Sequence, residues 1–218
     1  MVQWIRMTQG NDEHEDHREL LKRFDENSRP WQTYWFWRDK PLAEREAAAA
    51  VLTGAGLHIE ALRSREIGDD PPDCEALVNG MRCGIEVTEL VHRPTLERSI
   101  QAIRAREQGR EPDAPEADFA WERGDLLEAL QGLINRKDKA KPKGGPYGRY
   151  ILVIVTDEFF LDRSTIEGFL DGATFEADLI TDVLLGLSYH PSTELGGGLC
   201  PVFRLCCDPR NKSLLQNL

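Results

Sequence analysis

A β-hairpin pattern in residues 74–90 limits what this chain can fold into more than any other feature. Two short apolar runs, residues 74–78 and 83–90, flank Asn79-Gly80. Asparagine and glycine tolerate the positive φ angles that tight hairpin turns require, and each run has the length of a strand. The pattern therefore predicts two adjacent antiparallel strands.

Alternation along the second strand divides its side chains between two faces. One face carries Cys83, Ile85 and Val87, and the other carries Gly84, Glu86 and Thr88. Glu86 is therefore expected to point away from the apolar face. Because a hairpin brings the start of its first strand beside the end of its second, Asp73 and Glu86 are expected to share a small volume. Paired carboxylates of this kind suit a hard divalent cation.

These residues resemble a known nuclease family. Pro72-Asp73, a hairpin of this length and then Glu86-Val87-Thr88 are similar to the PD-(D/E)xK signature, with Thr88 standing where the family has lysine. The resemblance implies a restriction-endonuclease-like α/β core. It also implies a hydrolase, an endonuclease that uses Mg²⁺ (or Mn²⁺) to cleave phosphodiester bonds of DNA or RNA.

The resemblance further implies a set of metal ligands. These would be Asp73, Glu86 and the carbonyl oxygen of Val87, joined by a glutamate from an upstream helix. Helical periodicity leaves Glu44 and Glu46 open as that glutamate. The similarity to the family pattern favours Glu44.

Thr88 raises the question of where a positive charge would come from. Its hydroxyl can donate a hydrogen bond but cannot carry charge beside a scissile phosphate. An active enzyme then needs a lysine from elsewhere, and Lys137 and Lys139, at the end of a predicted helix, are the candidates, with a slight preference for Lys139. The predicted catalytic set is Asp73, Glu86, Thr88, Glu44 and these two lysines. The alternative is a nuclease-like fold without catalysis that serves as a binding or regulatory module.

Hydrophobic patterning predicts the remaining elements. Further strands are expected at residues 57–65, 150–156 and 202–207, and helices at residues 42–53, 95–107, 121–136 and 162–170. The run at residues 150–156 is continuously apolar, which is typical of a central strand buried on both faces. Residues 179–189 fit either a strand or a buried helix. The order of elements predicts an α/β fold with a mixed central sheet and helices on both faces.

The charge of the chain narrows the choice of partners. Its 27 basic and 38 acidic residues give a net charge of −11, and an acidic surface repels a nucleic-acid backbone at long range. Contact with nucleic acid is therefore expected through a local basic segment, residues 137–149, which has five positive charges and one negative charge. Glycines and Tyr147 in this segment favour contact with phosphate and base, whereas a solvated loop is the alternative.

The chain is expected to divide into an N-terminal helix and aromatic arm, residues 1–40, and a nuclease-like α/β domain, residues 41–218. In the arm, residues 10–27 predict a short surface helix whose two histidines are solvated. Residues 29–40 are rich in aromatic side chains. They are expected either to fasten the arm to the core or to stack on bases, and a third reading makes them an exposed patch for protein contacts.

Cysteine usage and hydropathy indicate the compartment. The chain has five cysteines, an odd number without paired metal-ligand spacing, which predicts reduced thiols. No apolar run reaches the roughly 18 residues of a membrane span, and the N-terminus lacks the apolar stretch of a signal peptide. A cytoplasmic protein without membrane contact is expected, and a homodimer stays open.

Overall fold

The computed structural model describes residues 39–66, 68–111, 119–158, 161–188, 201–205 and 207–209. The predicted helix at residues 10–27 lies outside the described residues, as do residues 29–38 of the aromatic stretch.

The described residues form four helices and eight strands. In chain order they are α1 (Lys40–Gly54), β1 (Ile59–Ser64), β2 (Cys74–Val78), β3 (Met81–Glu89), α2 (Arg93–Glu107), α3 (Arg123–Lys137), β4 (Arg149–Thr156), α4 (Arg163–Leu170), β5 (Phe175–Ala177), β6 (Asp182–Leu187), β7 (Val202–Leu205) and β8 (Cys207–Pro209).

Six of the strands form one mixed sheet in the order β1-β2-β3-β4-β6-β7. Strands β1, β2 and β3 are an antiparallel meander, β4 and β6 continue parallel to β3, and β7 runs antiparallel to β6. Strands β5 and β8 pair in parallel as a separate small sheet. The predicted α/β fold with a mixed central sheet is therefore confirmed.

The β2–β3 hairpin is confirmed as well. Asn79 and Gly80 form its turn with φ of 50° and 76°, the left-handed values that the Asn-Gly pair accommodates. The strands pair from Cys74 opposite Ile85 to Val78 opposite Met81. Strand β3 thus begins at Met81, two residues before the apolar run, because backbone pairing starts directly after the turn.

Helices cover both faces of the sheet. Helix α1 packs on one face through small residues, and Ala47 and Ala48 are 1% and 0% exposed there. Helix α3 packs on the opposite face through a stripe made of Leu126, Leu130, Leu133 and Ile134. Because β4 lies between these two layers, its side chains from Tyr150 onward are all buried. This double coverage explains the continuous apolar run.

The double coverage determines the surroundings of Glu86. The side chain does lie on the strand face opposite Ile85 and Val87, as alternation requires, but that face is also covered. Glu86 is 2% exposed and sits beside the C-terminal end of α3. It is a buried acid inside the fold and not a residue on an open strand surface.

The ambiguous stretch at residues 179–189 contains β6, a strand between β4 and β7. Its residues Val183 to Leu187 are buried on both faces, so no alternation marks them as a strand. Within the described ranges, none of the helices has the length and apolar content needed to cross a bilayer.

The tight approach of Tyr147 and Pro72 to β3 generates a stability prediction. A Cβ at Gly84 would lie 3.2 Å from Pro72 Cγ and 3.3 Å from the Tyr147 ring, so Gly84→Ala should destabilise the protein by about 1 kcal/mol. Urea unfolding measures this change in the free energy of unfolding. Gly168→Ala in α4 is the control, because a Cβ there meets open space and should stabilise the helix slightly. Equal stability of the two variants would contradict the packing argument.

Candidate functional site

Asp73 is held in place by the hairpin. It directly precedes β2, and its Oδ2 accepts a hydrogen bond of 2.8 Å from the backbone N–H of Val87 on β3. The Asp73 side chain is 8% exposed. Its carboxylate is therefore fixed across the two strands. The role expected for Val87 used its carbonyl oxygen, and that role stays a prediction.

Glu86 brings the second carboxylate to the same place from the middle of β3. Its side chain is 3% exposed and its Oε2 accepts a hydrogen bond from Lys137. Its Oε1 is buried and makes no well-formed hydrogen bond among the described residues. The buried Tyr150 hydroxyl lies beside this carboxylate and opposes the rise in the pKa of Glu86, so a weak donor is already present next to it.

Lys137 joins the two carboxylates. It is the last residue of α3, and its Nζ lies 2.5 Å from Glu86 Oε2 and 3.5 Å from Asp73 Oδ2. The buried leucine and isoleucine stripe of α3 fixes this end of the helix over the sheet. Lys139 lies exposed in the turn beyond the helix. The geometry therefore favours Lys137, against the slight preference for Lys139.

The charges in this cluster shift one another. Burial raises the pKa of Glu86, the Asp73 carboxylate raises it further, and Lys137 acts in the opposite direction. Burial alone would lower the pKa of Lys137, but the two carboxylates outweigh it and raise that pKa above its ordinary value. Lys137 is thus charged at neutral pH. The raised pKa of Glu86 means that a further positive charge at this carboxylate, from a proton or from a cation, is favourable.

The two candidate glutamates of α1 differ in burial. Glu44 is 5% exposed, whereas the side chain of Glu46 is 51% exposed. Lys40 Nζ lies 3.0 Å from Glu44 Oε1, and Glu44 shares the wall of a cleft with Lys137 and Val87. The structure thus brings Glu44 to the edge of the carboxylate pair and leaves Glu46 outside.

Thr88 lies on β3 two residues beyond Glu86 and also lines the cleft. It is half-buried. Its neutral hydroxyl can donate a hydrogen bond into the cleft but brings no charge. Lys137 supplies the positive charge beside the carboxylates.

A cleft of about 670 Å³ opens beside Lys137, between β3, the start of α2 and one face of α3. Lys137 lines the cleft and also contacts both carboxylates. The cleft and the carboxylate pair therefore meet at this ammonium.

A second polar cluster surrounds Glu75, which the sequence reasoning missed. Glu75 is 4% exposed, and it accepts hydrogen bonds from Arg63 Nε at 2.7 Å, from Arg82 at 2.9 Å and from the Tyr147 hydroxyl at 3.2 Å. Arg65 lies 3.6 Å from it. Burial would raise the pKa of Glu75, but these donors outweigh it and lower the pKa to about 2. An acid inside a strand between arginine-bearing strands was the available sequence signal.

Several basic side chains of residues 137–149 form hydrogen bonds or ion pairs within the chain. Lys143 Nζ donates to the Gly68 carbonyl at 3.1 Å, and Arg149 Nε donates to Asp182 at 2.8 Å. The ring of Tyr147 packs on Gly84. The Arg82 guanidinium carbon lies over this ring, 4.9 Å from the ring centroid. Tyr147 therefore has a structural role here that differs from the predicted stacking on a base. Contact of the segment with phosphate stays a prediction.

Acids also gather where β3 and β4 end. Burial, with the nearby charges of Asp157 and Glu158, raises the pKa of Glu89 to about 8. Burial and Glu158 raise the pKa of Asp157 to about 6. Across the described ranges, no three histidine, cysteine or acidic side chains converge as a metal-ligand group. This holds for Glu89, Asp157 and Glu158 and equally for Asp73, Glu86 and Glu44; the site at Lys137 differs in that an ammonium contacts its two carboxylates.

The Glu75 cluster predicts a pH-dependent stability. Because its folded pKa is about 2, below the ordinary 4.5, its contribution is present above pH 4.5 and is lost as the pH falls towards 2. Glu75→Gln should lose on the order of 3 kcal/mol near neutral pH and show a flatter acid limb. Denaturant unfolding between pH 7 and pH 3 measures both effects.

The matched control is Glu167→Gln, which removes an exposed ion pair with Arg163 on α4. Exposed pairs contribute little, so its unfolding midpoint should match the parent. A Glu75→Gln variant as stable as this control would contradict the structural role of the cluster.

Comparison of the chain with protein-family models, with curated proteins and with solved structures finds no match. We therefore argue the chemistry of this site from its own geometry, in which Lys137 lies between Asp73 and Glu86.

Proposed function

We propose that this protein hydrolyses phosphodiester bonds of DNA or RNA with the help of Mg²⁺ or Mn²⁺. The observation that carries the proposal is the Lys137 ammonium placed against the carboxylates of Asp73 and Glu86. Two acids and a lysine are the groups that the resemblance implies for such a site. Here the lysine comes from the end of α3 and not from β3, where Thr88 stands.

The side chains fit a magnesium-type ion better than zinc. Mg²⁺ is usually held by one or two carboxylates together with water and substrate phosphates, so it does not need three protein side chains. Asp73 and Glu86 would hold it, with the Val87 carbonyl as a further oxygen donor, while Glu44 lines the same cleft without converging with the two acids as a third ligand side chain. Glu86 Oε1 is buried beside the Tyr150 hydroxyl without a well-formed hydrogen bond, so it keeps acceptor capacity that such an ion would use.

The chemistry divides between the ion and the chain. A bound ion of this type polarises a phosphoryl oxygen and lowers the pKa of water. Lys137 stabilises the negative charge that develops on the phosphate, and Asp73 and Glu86 hold that ammonium in place. In hydrolysis, a water oxygen bonds to phosphorus and one ester P–O bond breaks. The proton of the water goes to the leaving oxygen, which gives a phosphate monoester and a hydroxyl.

The second candidate function is a binding or regulatory module without catalysis. It is favoured by the same ion pair, because Lys137 already neutralises part of the charge on both acids and could serve stability alone. The two functions differ in what removal of the ammonium does to cleavage. The first experiment below separates them.

Cleavage should depend on Lys137 and not on Lys139. Removing one preorganised electrostatic donor typically lowers the rate by about 10²- to 10³-fold. Lys137→Met keeps the length of the side chain and removes its charge, whereas Lys139→Met is the matched control at an exposed position two residues on. Cleavage of single-stranded and duplex DNA and RNA with Mg²⁺ or Mn²⁺ is the measurement.

A lysine on β3 provides the rescue. Thr88 lies on the same strand face as Glu86, so Thr88→Lys in the Lys137→Met background should restore part of the cleavage. An inactive parent that gains cleavage with Thr88→Lys alone would instead support the binding module. Full activity in Lys137→Met, with the fold checked by circular dichroism, would contradict the role of the ammonium.

Metal binding should depend on the carboxylate pair. Asp73→Asn and Glu86→Gln should each weaken binding of Mg²⁺ or Mn²⁺ in calorimetry, since each removes a charged oxygen ligand. Glu46→Gln is the control on the exposed side of α1. Lys137→Met should bind the ion at least as tightly as the parent, because a competing positive charge is gone. Unchanged binding in both carboxamide variants would mean that these acids are not ligands.

A further inference from the structure

The cleft beside Lys137 has the size of a ligand site. Its volume is about 670 Å³, within the range of roughly 300 to 1,000 Å³ typical of small-molecule pockets. One wall is β3 at Val87 and Thr88, next to the carboxylate pair, and the opposite wall is α3. Lys137, which contacts Asp73 and Glu86, is therefore also within reach of a ligand in the cleft.

Small residues on one face of helix α3 leave this space open. Its residues in the wall recur at helical spacing, and two of them, Ala129 and Gly132, are small. A Cβ built at Gly132 meets no atom within 4 Å. A glycine within a helix is destabilising relative to alanine, so the open space at this position comes at a cost in stability.

Aromatic rings supply a further part of the wall. His92 and Phe119 stack in parallel with their centroids 3.5 Å apart, and Trp121 lies edge-on to both rings. All three residues line the cleft. The Trp121 indole N–H is buried and has no hydrogen-bond partner among the described residues, although buried tryptophans usually find one. Flat rings and an unused donor suit a planar, polar ligand.

Positive charge accompanies Lys137 in the wall. Four cations line the cleft, Lys40, Arg93, Arg136 and Lys137, and so do four acids, Glu44, Glu89, Asp125 and Glu128. Lys40 pairs with Glu44, and Lys137 pairs with Asp73 and Glu86, while Arg93 and Arg136 are further exposed cations in the lining that also holds the aromatic surface. Cations with aromatic rings are the combination by which proteins hold single-stranded nucleic acid, through phosphate contacts and base stacking.

We propose that the cleft receives one unpaired nucleotide of the substrate strand, so that the substrate is single-stranded nucleic acid. This inference rests on the proposed function and deepens it. The base lies against the wall formed by Phe119 and His92, and the adjoining phosphate lies at Lys137. A paired base cannot enter a concave site without leaving its helix, which costs unpairing and unstacking. The net charge of −11 also disfavours a duplex, whose charge density is the higher.

Filling the cleft tests this directly. Gly132→Leu places a side chain into the open space and raises helix propensity, so the fold is retained. Gly168→Leu on α4 is the matched control, since its Cβ also meets open space and it does not line the cleft. The measurement is fluorescence anisotropy of labelled single-stranded DNA, single-stranded RNA and the matching duplex in EDTA, where binding is separated from cleavage. Melting curves accompany each variant.

The parent should bind a single strand more tightly than the duplex. Gly132→Leu should weaken single-strand binding about tenfold or more, the order expected for one stacked base, and Gly168→Leu should leave it unchanged. Arg136→Ala should weaken binding and reduce its salt dependence, compared with Arg163→Ala on α4 as the control. Whichever single strand binds more tightly identifies the sugar that the cleft prefers.

Three results would overturn the inference: no binding of any oligonucleotide, preference for the duplex, or Gly132→Leu binding like Gly168→Leu. Its failure is distinguishable from failure of the proposed function. Cleavage that is intact in Gly132→Leu and lost in Lys137→Met would keep the function and reject the nucleotide cleft. Cleft-dependent binding without any cleavage by the parent would keep the cleft and reject the function.

Discussion

The contact of Lys137 with Asp73 and Glu86 joins the separate parts of this structure. Asp73 comes from the loop before β2, Glu86 from the middle of β3 and Lys137 from the end of α3. Two buried acids of like charge would destabilise the hairpin unless a cation compensated them, and breaking such a pair typically costs about 3 to 5 kcal/mol. The packing of α3 on the sheet and the placement of the acids are therefore interdependent.

Glu75 is another buried acid whose charge is compensated by nearby cations. That acid lies on the same strand face as Asp73, two residues further along β2, and guanidinium groups from Arg63, Arg65 and Arg82 surround it. One end of this sheet face is thus held together by buried charges and hydrogen bonds, while the opposite face is apolar against α1. The residues around Glu75 do not line the cleft, whereas Lys137 does.

Lys137 has a structural role and also a place in the proposed functional site. Lys137 compensates the charge of two buried acids, which is a structural role. It also forms part of the wall of an open cleft. The Lys137 side chain is 30% exposed, and the carboxylates that it contacts are almost fully buried. It is therefore the part of the cluster that a ligand in the cleft would meet first, and this position links the proposed chemistry to the proposed substrate.

The sequence by itself determined the hairpin, the identity of the residues on each face of β3 and the approach of Asp73 to Glu86. These follow from local rules, since Asn79-Gly80 sets the turn and side chains alternate along a strand. Sequence reasoning also predicted that an active nuclease would need a lysine from the end of α3. It slightly preferred Lys139, whereas the geometry favours Lys137, because the choice depends on where the helix ends over the sheet.

Tertiary structure alone decided which polar groups are buried together. Glu44 and Glu46 are equivalent in the local pattern, and docking of α1 on the sheet buries the first and exposes the second. The strand at β6 was ambiguous because burial on both faces removes the alternation that identifies a strand. The partners of Glu75 come from three different segments, so spacing along the chain does not reveal them. Burial and charge pairing depend on contacts between distant segments, whereas turns and alternation are properties of neighbouring residues.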